Sequence, residues 1–478
     1  MKQADKKNVV IVGGGLPGLF SALLMSDRYP DVQVHLIERD KKLGGLYNSF
    51  QDSQAGRFDH GMHLIYESGV EEVDRHIREV MDQEDWIALT GNQKDIAGVF
   101  FNGELHEDSP YVDIRSLPET VQRECVADLF LHLNERVLRA QDCASAHEFF
   151  LNRFGPSVTN LVIEPVLEKL WKMPGSKLDP MVTRVVLMDR VRLYDSEAMS
   201  DLMTSELIRS RVAFPLQMEL PLRYRSSQRG LYPRRFGMFH VIDAMEKKLV
   251  ARGVNIHTEA DVGKVEIADG AVKALHVKSP AAEVVIDNIW LLHWSIPVFG
   301  LAPRLGLQSP LGKIDAPHTQ VHVYFHLRRR PKMGDLYYFY CFDPGFHTYR
   351  ITSYFNYCPD ALRPDGTYPI CVELHFDATA QMDTLDLAGL ATKELMQMGV
   401  IENPADITFS KAELSKTGFP VLTLNNSRMM GQLRALVEHQ GITNLITAGQ
   451  APERGIFFLH DVLEHSYNAI VKFGDRQQ

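Results

Sequence analysis

Apolar residues fall along this chain in two rhythms. Val9, Val10, Ile11 and Val12 form an unbroken apolar run, as expected of a strand buried on both faces. Gly13-Gly14-Gly15 then mark a tight turn, Leu16-Pro17-Gly18 open a helix, and a second apolar run ends at Glu38. Farther on the period lengthens to that of helices. Ser116-x-x-Glu119 reads as a capping box with Pro118 in the first turn, and it predicts a helix over 121–138. Ser145-x-x-Glu148 starts another, ended near Gly155 and Pro156, and 158–173 forms a third, stopped by Pro174-Gly175. The stretch 116–230 is therefore expected as a helical insertion.

Helical spacing returns at 239–252, closed by Gly253. Short strands follow at 255–258, 263–267 and 271–277, with Asp269-Gly270 as a hairpin turn, and 284–297 contains one more. Residues 318–376 alternate at period two, as in Tyr338, Tyr340 and Phe342, and predict an antiparallel sheet. A helix over 386–398 ends at Gly399. The expected class is α/β (α+β overall). A discontinuous Rossmann-like domain takes 1–100, 231–305 and 431–478. A helical cap takes 101–230, and an antiparallel-sheet substrate domain takes 306–430.

Composition narrows the function. At 478 residues the chain is long enough for two or more domains. Its formal charge of −10 argues against general nucleic-acid binding. No apolar run approaches the roughly 18 residues of a transmembrane helix, and the start shows no secretory pattern. Cys125, Cys143, Cys341, Cys358 and Cys371 are scattered, forming neither a metal pattern nor a disulfide framework, so the economical expectation is a cytoplasmic protein without a metal. A small-molecule substrate is expected, and assembly of identical copies is compatible with the sequence.

The first turn carries the clearest chemistry. Gly13 suits the tight turn, Gly15 lets the backbone approach a pyrophosphate, and Gly18 lets helix pack on strand. The helix N-terminus offers free N–H groups to phosphates. Glu38 stands about 20 residues on, where a carboxylate accepts ribose hydroxyls. These features read as a dinucleotide site; the bland alternative is a glycine-rich loop of another α/β protein.

The residues after Glu38 are Arg39-Asp40-Lys41-Lys42-Leu43-Gly44-Gly45, then Phe58-Asp59-His60-Gly61-Met62-His63. Together with 444–450, which end in Gly449-Gln450, and Asp461 at the start of a last helix, they resemble the flavin amine oxidase, protoporphyrinogen oxidase and phytoene desaturase superfamily. The layout is similar to that of UDP-galactopyranose mutases. Asn102-Gly103-Glu104-Leu105 resembles their short hairpin, Leu170-Trp171-Lys172 and 174–184 their tryptophan and arginine region, and 338–356 their substrate-facing strands. Where those mutases read tyrosine-threonine-x-lysine-x-tryptophan, this chain reads Leu167-Glu168-Lys169-Leu170-Trp171. The resemblance implies FAD as cofactor. It places Gly13, Gly15, Gly18, Glu38, Arg39, Gly44, Gly45, His63, Gly449 and Asp461 against it, and Trp171, Arg184, Tyr338, Phe346 and Arg350 around the substrate.

His63 and Arg350 are the expected catalytic residues: an imidazole is acid or base near neutrality, and a guanidinium grips an anion bidentately. Between Arg184 and Arg235 stand ten arginines and no lysine, a bias that suggests an anionic ligand, although solvated salt bridges explain any single one as well. A second glycine fingerprint for a separate NAD(P)H domain is not visible, nor is the lysine that many amine oxidases hold near the flavin. The leading expectation is a FAD-dependent oxidoreductase acting on a small or medium organic substrate with an anionic group. The alternatives are a sugar-nucleotide isomerase of the mutase type using reduced flavin, and a non-catalytic flavin-binding partner subunit.

Overall fold

The strand Asn8–Val12 splits its side chains between two cores, and the Rossmann-like half of the molecule is organised around it. Val9 and Ile11 face one core with Leu19, Phe20 and Leu23 of the helix Leu16–Arg28, whereas Val10 and Val12 face a second with Leu292, Trp294 and Leu433. This two-sided burial is why the run is apolar without alternation. The computed structural model describes residues 6–133, 138–307, 312–382, 385–415 and 421–476.

Five parallel strands form the Rossmann-like sheet, in the order Asn255–His257, Gln33–Ile37, Asn8–Val12, Ile289–Trp294 and Leu445–Thr447. They come from three separate stretches of chain. An antiparallel sheet of Asp261–Ala268, Ala271–Lys278 and Glu283–Ile286 covers the second core. Its first turn is Asp269-Gly270, both at positive φ (52° and 69°), as a two-residue hairpin requires.

The largest sheet has seven strands: Ile407–Leu414, Thr319–Leu327, Tyr368–Phe376, Thr348–Ser353, Tyr338–Cys341, Ala97–Phe101 and Glu104–His106. Every pairing is antiparallel except Tyr338–Cys341 on Ala97–Phe101, which is parallel. The Ala97–His106 hairpin thus belongs to this sheet, and a boundary drawn at residue 100 falls inside it.

The helical unit between them includes Glu119–His132, Ala146–Phe154 and a run from Pro156 to Trp171. Ser145 caps its helix as expected, its side chain accepting from Glu148 N. Ser116 does not: its hydroxyl donates to the Asp113 carbonyl, closing a 3₁₀ turn, and the helix starts later, at Glu119, with no side-chain cap. The end of the helix expected over 121–138 includes 134–137, outside the described residues. The run from Pro156 widens into a π-helical turn at Thr159–Ile163, just before Pro165, whose missing N–H cannot continue the α ladder. Lys169, 6% exposed, ties this run to the large sheet by donating to the carbonyls of Cys341 and Thr348. Burial lowers its ammonium pKa to about 8. Among the described residues no helix is long and apolar enough to cross a membrane.

One contact fixes helix against strand at the first turn. A Cβ on Gly18 would overlap the Gly13 carbonyl oxygen, a backbone atom that cannot swing aside. Gly18→Ala should therefore destabilise the chain by roughly 1–3 kcal/mol through overpacking, read as a lowered urea midpoint. An unchanged midpoint would show that the turn relaxes freely.

Candidate active site

Three glycines at the end of Asn8–Val12 do different work. Gly13 turns at φ +107°, and a Cβ there would meet Ile296. Gly18 brings the helix onto the turn. Gly15 faces open space: the nearest atom to a Cβ there is Pro17 Cδ at 3.8 Å. Gly15 is also the N-cap of Leu16–Arg28, with no side-chain cap, so the first-turn N–H groups are left for something else. Gly44 N donates to Gly14 O at 2.8 Å, and a Cβ on Gly45 would lie 3.6 Å from Gly15 Cα. The two glycine segments therefore lie side by side. Glu38 is half-buried at their margin, its Oε2 accepting from Gly14 N at 2.6 Å and its Oε1 from Asp40 N at 2.8 Å. Arg39 is exposed.

The C-terminal segment closes on the same region. Gly449 packs against the carbonyl of Ile296, neighbour of the Ser295 hydroxyl that donates to Val12 O at 2.8 Å. Asp461 sits in the first turn of Leu459–Asp475 and accepts from Phe457 N and Phe458 N. Arg184 donates to Gly455 O at 2.7 Å and pairs with Asp461 at 3.2 Å. The arginine assigned to substrate and the aspartate assigned to cofactor are thus partners of each other.

The loop Phe58–His63 joins this cradle to the large sheet. The rings of His63 and Tyr47, the latter in the turn after Gly44-Gly45, lie 5.3 Å apart. Asp59 is almost fully buried; its side chain accepts from Tyr232 Oη (2.6 Å) and Met238 N (3.0 Å), and its carbonyl from Tyr354 Oη (2.5 Å). Burial pushes its carboxyl up to about 7 despite these bonds. Gly61, at φ +80°, passes directly over Glu373, where a Cβ would be 2.8 Å from the carboxylate.

Glu373 is the partner of Arg350. Arg350 Nε donates to its Oε2 and Nη2 to its Oε1 at 3.0 Å, a bidentate pair with the carboxylate 2% exposed. The Arg350 guanidinium also lies over the rings of Tyr338 (5.6 Å) and Tyr349 (5.8 Å). Tyr338 Oη donates to Asp95 at 3.2 Å, and burial raises that carboxyl to about 6. His60 Nδ1 is 2.7 Å from Tyr324 Oη, which in turn donates to Glu413. Burial depresses His60 to about 4 and His322 to about 3. It holds His63 at about 3, with the Arg350 charge adding to the effect.

Trp171 and Phe346 stand farther along the same aromatic layer. The Trp171 ring lies tilted against His318 (6.1 Å), which leads through His375 to Tyr349, while Phe346 meets Phe100 edge-on at 5.4 Å. Glu373, Asp95, Tyr324 and Glu413 were not singled out from the sequence, and Asp59 and His60 stood there only as members of the Phe58–His63 motif. The available signal was a lone glutamate inside the apolar strand Tyr368–Phe376. The site can hold a flat, extended ligand across the glycine segments and present it to neutral imidazoles, tyrosine hydroxyls and a charge-compensated guanidinium.

Comparisons agree with this geometry at the level of fold. A family profile described as an NAD(P)-binding Rossmann-like domain matches residues 11–83. No curated protein matches the chain. Reduced UDP-galactopyranose mutase superposes with a TM-score of 0.73 at 16% identity, covering 97% of this chain and 95% of that one. A protein of Exiguobacterium sp. 255-15, provisionally named protoporphyrinogen oxidase, gives 0.68 at 18%, covering 99% of both. Wild-type putrescine oxidase bound to putrescine gives 0.59 at 12%, covering 98% and 99%. The chain shares the fold of these three structures over nearly its whole length.

The buried charges make two predictions. Glu373→Gln leaves the Arg350 charge without its counterion and should cost about 3–5 kcal/mol, whereas Glu373→Gln combined with Arg350→Met should cost less, because no charge is stranded. Denaturant midpoints of the two variants decide it, and a double variant less stable than the single one would contradict the pair's role.

The second concerns acid. The unfolded chain protonates its histidines near pH 6.5, but the fold keeps His60, His63 and His322 neutral down to about 3–4, and His35, His293, His318 and His326 down to about 4. Below pH 6.5 the unfolded state therefore binds more protons, and stability is lost on acidification. Each buried imidazole accounts for about 2 kcal/mol between pH 6.5 and 5. Asp59 and Asp95 oppose this, since their raised pKa values make the folded state take the proton first, but they are fewer. The urea midpoint should fall clearly from pH 7.5 to pH 5; equal midpoints would refute the account.

Proposed function

We propose that this protein is a FAD-dependent oxidoreductase acting on a small or medium organic substrate. The observation that carries the reading is the Gly15 turn: an uncapped helix N-terminus, open where a Cβ would stand, beside a second glycine pair and a carboxylate. These residues fit the group. Gly15 and the first-turn N–H groups hold its pyrophosphate, Glu38 its ribose, and Gly44, Gly45, Gly449 and Asp461 line its length. When bound, FAD supplies hydride acceptance; the protein supplies binding, orientation and electrostatics.

The chain's own groups take the remaining roles. His63, next to Tyr47, offers the substrate a hydrogen bond from a neutral ring; with its pKa held at about 3 it is not the acid or base near neutrality that the sequence suggested. Arg350, held by Glu373 over Tyr338 and Tyr349, orients the substrate more than it neutralises it. Tyr338, Phe346 and Trp171 shape an apolar wall that keeps water away.

The purified protein should be yellow and release free FAD on denaturation, with no covalent link. Glu38→Ala should weaken FAD binding about tenfold to a hundredfold without unfolding the chain, since one charged hydrogen bond is worth roughly 1.5–3 kcal/mol. A colourless protein that does not take up added FAD would sink the proposal. Reoxidation of the reduced flavin coupled to product supports the oxidoreductase; isomerisation of a sugar nucleotide without net redox would replace it with the mutase reading.

A further inference from the structure

Sheet register lays a row of ionisable side chains under the loop Phe58–His63. Glu413 stands opposite His322, His322 opposite Glu373, Glu373 opposite Arg350 and Arg350 opposite Tyr340, across five neighbouring strands of the large sheet. Directly paired residues share a face. The row begins on the edge strand Ile407–Leu414, where the Glu413 side chain is 37% exposed, and two strands in it reaches the buried Glu373. A second line of contacts runs beside this row. Tyr324 Oη donates to Glu413 Oε2 at 3.4 Å, and its ring packs on Phe50 (4.4 Å) and Phe58 (5.1 Å). The Tyr324 oxygen is left to accept. His60, 2.7 Å away through Nδ1, therefore carries its proton on that nitrogen and keeps Nε2 as an acceptor. Its ring lies 5.4 Å from His322 and feels the charge of Glu373. Burial keeps His60 neutral, and a neutral imidazole both donates and accepts.

We propose that Glu413, Tyr324 and His60 form a proton relay between solvent at the sheet edge and the Phe58–His63 loop, serving the proton that accompanies flavin reduction. This rests on the flavin reading. Reduction of FAD by two electrons takes up one proton, and oxidation by FAD of a substrate carbon that bears a hydroxyl or amine sends a hydride to the flavin and releases one proton. Along the relay only N–H and O–H bonds are made and broken. Outward, a proton arriving at His60 Nε2 sends the Nδ1 proton to Tyr324 Oη and the Tyr324 proton to Glu413, which passes it to water; the inward direction reverses each exchange. The 3.4 Å step is long for an O–H···O bond, as catalytic hydrogen bonds often are before a ligand is bound. Tyr324 and Glu413 act through His60 and are positioning residues.

The test uses the full chain with bound FAD, reduced without oxygen by the methyl viologen radical, which carries electrons but no protons. A pH-indicator dye in weak buffer records proton uptake, and the flavin absorbance records the arrival of electrons. The unmodified chain should take up its proton more slowly in D2O than in water. Tyr324→Phe keeps the ring packing, and Glu413→Gln lies at the half-exposed edge, so both should retain the flavin absorbance. Each should slow proton uptake by about a hundredfold. Added formate should restore the rate in Glu413→Gln by standing in for the lost carboxylate, a recovery that a merely structural defect would not allow. Proton uptake at the unmodified rate in the variants, or a slowing in Glu413→Gln that formate does not relieve, overturns the relay and leaves a yellow protein and the flavin reading intact. A chain that takes up no FAD overturns both.

Discussion

A guanidinium buried among tyrosines needs a carboxylate, and the Arg350–Glu373 pair sets the terms for everything packed around it. Strands Thr348–Ser353 and Tyr368–Phe376 are held in the register that puts the two side chains opposite each other. Gly61 is a glycine because the chain crosses directly over that carboxylate. The crossing in turn brings His60 and His63 within electrostatic reach of that carboxylate. The positive charge also helps to keep His63 neutral, so the interior offers imidazole lone pairs rather than imidazolium charges.

The cradle and this pair are joined through the loop Phe58–His63 and through Asp59. One buried carboxyl gathers Tyr232, Met238 and, through its own backbone carbonyl, Tyr354. These come from three different parts of the chain, so loop, helix Phe239–Ala251 and large sheet are fixed relative to one another by polar bonds that water cannot reach. Buried networks of this kind are costly when partly satisfied, which favours a single arrangement.

Positive charge is distributed unevenly. In the core, Arg350 is compensated by Glu373, and Lys169 is satisfied by backbone carbonyls. In the helical unit, Arg153 donates to the backbone carbonyls of Asp189 and Ser210, Arg190 to Tyr111 Oη and Arg209 to the Met203 carbonyl. Arginine supports both arrangements because its charge is permanent and its planar face tolerates aromatic neighbours. The same residue type pairs with a carboxylate in one place and with carbonyls and a phenol in another, and only the neighbours tell them apart.

Local signals in the sequence were sufficient for the fold of the Rossmann-like half. The apolar run Val9–Val12, the spacing of Gly13, Gly15 and Gly18, Asp269-Gly270 and the Ser145 cap each act within a few residues, so their physical meaning is complete in one dimension. The displaced Ser116 cap failed because Asp113, three residues back, competed for the same hydroxyl. What only the tertiary structure decided are the pairings across long separations. Glu373 with Arg350, Arg184 with Asp461, Lys169 with Cys341 and Thr348, and the parallel placement of Ala97–Phe101 on Tyr338–Cys341 leave no local pattern. A buried charge chooses its partner by proximity in the folded core, and that proximity is created by packing of apolar faces that carry no record of which polar group lies opposite.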